Sequence, residues 1–266
     1  MESAADILVD WISQFPLNSE TPKLIFVSGS QGIGKSTAMT SVEARFADDV
    51  AILSLDDFYL TQQDRMQIAK SISPLFDTRG PAGTHDLALL NNVLDQLTKP
   101  GGAQNLSSPV FNKRIDDRVP QNEWRPLPSS PKLIILEGWL IGAEPDPLSP
   151  TSAPLNTVET KDADGSWRGY QEDQLAGPYS ELWNRADAFF HLEAPNFETV
   201  LGWRLQQEAG NFGVTLDSLP QERKDWVTNF ILYYERLTRR MLDGMKRPGA
   251  RVRVDENRRP VSYAPD

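Results

Sequence analysis

The sequence contains no cysteine, which removes disulfides, thiolate metal sites and cysteine nucleophiles at once. Histidine is nearly as scarce: His85 and His191 are too few for a multi-histidine metal centre. Bases are outnumbered, with 27 Lys+Arg against 37 Asp+Glu, and a net charge of −10 argues against nucleic acid as a partner. No apolar run approaches the about 20 residues of a membrane span. The opening MESAADILVDWISQF carries acids where a secretory leader carries bases, so neither signal peptide nor membrane contact is expected. What is present is ordinary for a globular chain: 39% hydrophobic residues in 266, enough for a substantial core. The expectation is a soluble, cytoplasmic protein, a monomer, with one domain over 1–266 and no internal repeat.

Short, continuous apolar runs mark buried parallel strands. They are LIFVSG (24–29), VAILSL (50–55), KLIILE (132–137), DAFFHL (187–192) and a weaker, charged ARVRVD (250–255). Helical periodicity lies between them. Ala4, Ile7, Leu8, Trp11, Ile12 and Phe15 give an amphipathic helix over 4–15, in an N-terminal segment of residues 1–20. Further helices are predicted over 35–46, over 84–97 with Thr84 as N-cap, over 197–208 and over 221–242. This alternation predicts an α/β fold with a mainly parallel sheet flanked by helices. Two stretches, 99–131 and 142–168, are rich in Pro, Gly, Ser and polar residues and read as irregular insertions, of the kind that form lids or binding loops.

GSQGIGKS (29–36) satisfies G-x-x-x-x-G-K-[ST], and a strand precedes it and a helix follows, as the motif requires. Glycines at 29, 32 and 34 admit backbone angles closed to other residues and let amides approach phosphate. The amides make an anion-binding concavity at the positive end of a helix. Gly29, Ser30, Gln31, Gly32, Ile33, Gly34, Lys35, Ser36 and Thr37 are therefore expected to bind ATP. Lys35 reaches the β- and γ-phosphates, and Ser36 is a ligand of Mg²⁺.

A phosphate loop does not choose the acceptor. The N-K-x-D of a GTPase is missing, since in NKRID (112–116) the acid falls one place late and no strand precedes it. The second strand instead runs into LSLDDFY and the third ends in ILEGW. In a parallel sheet the carboxyl ends of strands line the ligand crevice, so Asp56 and Glu137 should converge on the phosphate loop. Asp56 there can accept a hydroxyl proton, and Glu137 can hold the metal with Ser36. Asp57 reads as a cap or a supporting partner, and His191, at the end of a strand, as structural.

The order GKST, S-x-D-D-F-Y, strand-E-G resembles the uridine kinase, pantothenate kinase and phosphoribulokinase group of P-loop kinases. Within that group DDFYLT (56–61), RGPAGTHDL (79–87), PVFNKRIDDR (109–118), LEGWLIG (136–142) and WRLQQE (203–208) are similar to D-glycerate 3-kinase and its kinase-like relatives. The resemblance implies a P-loop kinase fold and Mg·ATP-dependent transfer to a hydroxyl of a small hydroxy acid, D-glycerate giving 3-phosphoglycerate. For such an anionic acceptor it supplies Arg79, His85, Lys113 and Arg118, with Asp86 nearby and Tyr59 and Trp139 as walls. It also implies that Arg204, on a helical lid, joins Lys35 and Asp56 in catalysis, the alternative for Arg204 being an i,i+4 pair with Glu208. The chain departs from that family where the acceptor should bind: Phe111, Asn112, Lys113 and Arg114 replace a Y-D-K-S segment, and a glycine-rich stretch is shortened to Ile115 and Asp116. Other acceptors (uridine, pantothenate, sugar phosphate) and an ATP-binding regulator without transfer activity stay open.

Overall fold

The computed structural model describes residues 2–17, 21–99 and 104–265. Residues 1, 18–20 and 266, and the part of the first insertion at 100–103, lie outside the described residues.

The apolar runs do form a sheet. β1 (Lys23–Gly29), β2 (Val50–Ser54), β3 (Leu133–Gly138), β4 (Ala188–Glu193), β5 (Ala250–Val254) and β6 (Pro260–Ala264) stand in the order β6-β5-β4-β1-β3-β2. Every pairing is parallel except β6 against β5. Ile25, Phe26 and Val27 of β1 and Ile134, Ile135 and Leu136 of β3 are fully buried, as central strands covered on both faces must be. In β5 burial alternates along ARVRV, which explains why its run read as weak and charged. β6 escaped the sequence pattern because it is an edge strand whose apolar side chains, Val261 and Tyr263, are exposed and form no buried run.

Helices cover the faces. α1 (Ala4–Ile12) starts on a Ser3–Asp6 capping box and buries Leu8, Trp11 and Ile12; it ends three residues earlier than the periodicity suggested. α2 (Lys35–Phe46) follows the phosphate loop, and α3 (Gln62–Ser71) follows a 3₁₀ turn at Leu55–Phe58. α4 is Leu87–Leu97, and its cap is Asp86, which accepts from Leu89 N–H at 2.9 Å, not Thr84. The Thr84 hydroxyl is committed to its own turn, donating to Pro81 O at 2.7 Å and accepting from Gly80 N–H at 3.0 Å. α7 (Phe197–Asn211) follows β4, and the stretch expected as one helix over 221–242 is two, α8 (Gln221–Ile231) and α9 (Glu235–Leu242), joined by a tightened turn at Leu232–Tyr234.

The second insertion is irregular as far as residue 165, but it is pinned by buried charge. Arg168 lies on α5 (Ser166–Gln174), which runs through Leu175–Tyr179 into α6 (Ser180–Trp183). Its Nε bonds Asp162 Oδ2 at 2.8 Å, and its other nitrogens take the carbonyls of Ser149, Ser152 and Asp162. Arg236 likewise holds Glu159. α5 escaped detection because its buried face is Trp167, Arg168, Gln171 and Glu172, mostly polar, so no apolar stripe marks it. Because both partners of the Arg168–Asp162 pair are buried, Asp162→Ala should cost about 3–5 kcal/mol by leaving Arg168 unpaired. Chemical denaturation checks this, and a loss under about 1 kcal/mol would mean that the insertion is not anchored there.

Candidate active site

The phosphate loop leaves β1, and the two strands on one side of it, β3 and β2, carry acids at their tips. Gly32 takes φ +75°, and a Cβ there would come within 2.7 Å of Trp203 Cβ, so only glycine lets the loop pack on α7. Gln31, Gly32, Gly34, Lys35, Ser36 and Thr37 line a cleft of about 670 Å³; Gly29, Ser30 and Ile33 sit behind it, Ile33 in the core. Lys35 folds back on the loop, Nζ donating to Gly29 O at 2.7 Å and Ser30 O at 3.3 Å. Burial lowers its pKa, and the carboxylates of Glu137 and Asp56 work against that.

Both acids predicted at strand ends line this cleft. Glu137, on β3, accepts a hydrogen bond from the Ser54 hydroxyl at the end of β2. Burial raises its pKa, with Lys35 and Ser54 opposing and Asp56 adding to the rise. Asp56 follows β2 in the 3₁₀ turn, where Oδ2 is 2.6 Å from Lys113 Nζ and Oδ1 accepts from Tyr59 OH at 2.8 Å. Burial alone would raise Asp56, but the Lys113 ammonium, its hydrogen bond and Lys35 together hold the carboxyl well below the usual range.

The resemblance motifs fold against one another. Leu60 N–H bonds Thr84 O at 2.9 Å and Asp86 N–H bonds Phe58 O at 2.7 Å, which lays 79–87 alongside 56–61. Phe111 N–H donates to Asp57 at 3.1 Å, so Asp57 anchors the 109–118 segment. Arg79 lines the cleft and shares Asp116 with Arg65, so one acid answers two guanidinium groups and this corner keeps a net positive charge. Gly80, at φ +115°, has no room for a side chain: Tyr234 OH, which donates to Arg79 O at 2.9 Å, fills the place of its Cβ.

Two residues expected at the acceptor are elsewhere. His85 is buried outside the cleft lining, stacked on Tyr59 at 4.6 Å and bonded through Nδ1 to Tyr179 OH at 2.6 Å; burial lowers its pKa to about 4, so it is neutral. Arg118 also lies behind the wall, tying Tyr59 O (2.9 Å) to Asp86 (3.1 Å). Both brace Tyr59 because their motif packs under the cleft rather than into it. Arg204 does line the cleft, and it also makes the i,i+4 contact with Glu208 at 2.9 Å; Glu208 is buried and shared with Arg223, so this is not a solvated pair. Gly138 and Trp139 line it too, next to Glu137; Ser54, Gln206, Gln207, Asn211, Phe230, Tyr234 and Arg258 complete the lining and were not anticipated. The spacing of Arg204, Gln207 and Asn211 on one face of α7 is a signal that could have found part of this wall.

No cluster of three or more His, Asp or Glu among the described residues could hold a metal alone. The donors that are present, the Ser36 hydroxyl and the Glu137 carboxylate, fit Mg²⁺ of the kind bound by one or two protein oxygens together with substrate phosphates.

Because Lys113 is the main counter-charge to Asp56, Lys113→Met should move the Asp56 carboxyl upward, with only Lys35 and the Tyr59 hydroxyl left to oppose burial. In the native protein a depressed folded pKa gives stability that is complete above the unfolded value of 3.8 and lost as pH falls through the folded value. In the variant that contribution shrinks, because the folded value lies closer to the unfolded one. Carboxyl-carbon NMR titration checks it: an Asp56 resonance that titrates in the same place in both proteins would contradict the assignment.

Scanned against protein-family models, the chain matches none. It is 29% identical over 280 residues to an uncharacterized kinase of Schizosaccharomyces pombe, covering 97% of this chain and 99% of that protein. It is 28% identical over 244 residues to the chloroplastic D-glycerate 3-kinase of Arabidopsis thaliana, covering 84% of this chain and 49% of the plant protein, so it spans about half of that relative. Among solved structures, D-glycerate 3-kinase from Cryptococcus neoformans matches with a TM-score of 0.77 at 24% identity, over 98% of this chain and 99% of that one. The chain thus has the fold of the P-loop kinases, with a mostly parallel sheet flanked by helices, and its relatives include D-glycerate 3-kinase.

Proposed function

We propose that the protein is an ATP-dependent phosphotransferase that phosphorylates a hydroxyl of a small hydroxy acid, D-glycerate at its 3-hydroxyl, giving 3-phosphoglycerate and ADP. The observation that carries this is the placement of Asp56: a carboxylate fixed by Lys113 and Tyr59, in the same cleft as Lys35 of the phosphate loop and Glu137. A GTPase or motor has no use for a carboxylate braced by a lysine at the acceptor side, whereas a kinase needs one to receive the hydroxyl proton. The names of two relatives supply the particular acceptor.

In this reaction the loop amides from Gln31 to Thr37 cradle the triphosphate, and Lys35 exchanges its carbonyl contacts for the β- and γ-phosphates. Ser36 and Glu137 would hold Mg²⁺, which would neutralise phosphate charge. The acceptor carboxylate is met by Arg79, whose corner already carries surplus positive charge. Trp139 lines the cleft as an aromatic wall. Asp56 accepts the proton of the attacking hydroxyl. Its depressed pKa makes it a weak base, which suits a loose transition state in which positioning and electrostatics do most of the catalysis. Arg204 faces the same space and stabilises charge on the transferring group.

Asp56→Asn should lower kcat on the order of 10²–10⁴-fold, and Lys35→Ala at least about a hundredfold, with near-UV circular dichroism unchanged. An ADP-coupled assay over D-glycerate, uridine, pantothenate and sugar phosphates reads both. Activity confined to uridine would overturn the acceptor, near wild-type turnover by Asp56→Asn would overturn the base, and ATP binding without turnover on any acceptor would favour a regulatory role.

A further inference from the structure

The sheet order gives the bound nucleotide a direction. The acids at the strand tips, Glu137 at the end of β3 and Asp56 after β2, lie on one side of β1, and Tyr59, Arg79 and Lys113 extend the cleft from that side. A triphosphate that directs its terminal phosphorus toward them must direct its base toward the other side of β1, where β4 and β5 stand. The cleft lining at that end comes from α7 and from a single residue of the β5–β6 turn, Arg258.

The turn is built to hold this arginine still. The Asp255 carboxylate accepts from Asn257 N–H and Arg259 N–H, both at 2.8 Å, and Arg258 N–H closes on Asp255 O at 2.9 Å with φ at +63°. Trp203 ties the turn to α7 by donating from Nε1 to Glu256 O at 2.8 Å. The guanidinium is fixed at its edge, Nε donating to Gly32 O of the phosphate loop at 2.6 Å and Nη2 to Gln206 at 3.2 Å. One face lies against the Trp203 indole, 4.9 Å from the ring centre.

Arg65 and Arg79 share an acid, as do Arg204 and Arg223; Arg258 makes no ion pair among the described residues. Its Nε–Nη2 edge, one of the two forks with which arginine takes a phosphate, is already spent on Gly32 and Gln206. What it offers the cleft is a flat, charged plate, the form of arginine that stacks on a nucleobase.

We propose that Arg258, backed by Trp203, is the platform on which the purine of the nucleotide stacks, making the β5–β6 turn the base subsite. This rests on the proposed function only in requiring a nucleoside triphosphate in the phosphate loop.

Calorimetric titration of the purified full chain with ATP and with inorganic tripolyphosphate tests it. Arg258→Gly is the variant of choice, because glycine suits the positive φ of the turn. It should raise the Kd for ATP about tenfold while the Kd for tripolyphosphate stays within about twofold of wild type. Arg258→Lys keeps a charge but not the plate, and its ATP affinity should fall with that of the glycine variant. Equal weakening of both probes, no change in either, or full recovery of ATP affinity by lysine would each overturn the base platform while leaving the phosphotransferase proposal standing. Wild-type protein that binds neither probe would overturn both.

Discussion

The cleft depends on one electrostatic constraint: charges taken out of water have to be answered by other charges within the protein. Lys35 and Asp56 are half-buried where either alone would be driven toward its neutral form; Glu137 and Asp56 support the charge of Lys35, and Lys113 and Lys35 that of Asp56. The set is close to balanced. Glu137 is the member with least support, and burial pushes its carboxyl up. A cation delivered with a substrate would relieve that imbalance, so the one poorly compensated acid is also the one suited to hold a metal. Around this centre the compensation is deliberately incomplete in the other direction. Asp116 answers both Arg65 and Arg79, and Glu208 answers both Arg204 and Arg223, so each arginine facing the cleft keeps part of its charge. A chain of net charge −10 thereby presents a positive interior to an anionic ligand.

The fold delivers those groups through strand register. β1 pairs with β3 and β4, and β3 pairs with β2, all parallel, so their carboxyl ends and the turns that follow come to the same edge. Continuous burial of Ile25–Val27 and Ile134–Leu136 fixes that edge in place, because a slip would expose the apolar runs. The local sequence then does the aiming. Gly32 removes the side chain that would separate the loop from Trp203, and Gly80 removes the one that would displace Tyr234 from Arg79.

Legibility followed the type of force involved. Strands built from unbroken apolar runs, and the phosphate loop built from glycines at fixed spacing, could be read directly, because each such position is constrained by its own neighbours. Asp56 and Glu137 could be read because they end those runs. α5 could not, since its buried face is made of Arg168, Gln171 and Glu172, whose burial is satisfied only by Asp162 and other residues distant in sequence. His85 and Arg118 were misplaced for a related reason: a polar residue in a loop motif looks the same whether it meets a ligand or braces Tyr59 from behind. Thr84 lost the cap of α4 to Asp86 because its hydroxyl closes the preceding turn. Phe230, Tyr234 and Arg258 reach the cleft from the last part of the chain, and no local pattern announces that return.

The same division separates transfer from acceptor choice. The groups that would handle phosphate sit at the ends of regular elements, whose positions are over-determined by the core. Those that the proposed function assigns to the acceptor come from turns: Tyr59 and Arg79 from the segments flanking α3, Lys113 from the short ribbon that pairs Phe111–Asn112 with Asp117–Arg118. That ribbon is where the chain departs from the D-glycerate 3-kinase pattern. Its shortened tip places Asp116 in the left-handed region at φ 55°, where the carboxylate reaches Arg79 and Arg65 together. A longer, glycine-rich tip would lack that acid and leave Arg79 with a different balance of charge. Under the proposed function, the length of this one loop would set the charge offered to the acceptor without disturbing Lys35, Asp56 or Glu137.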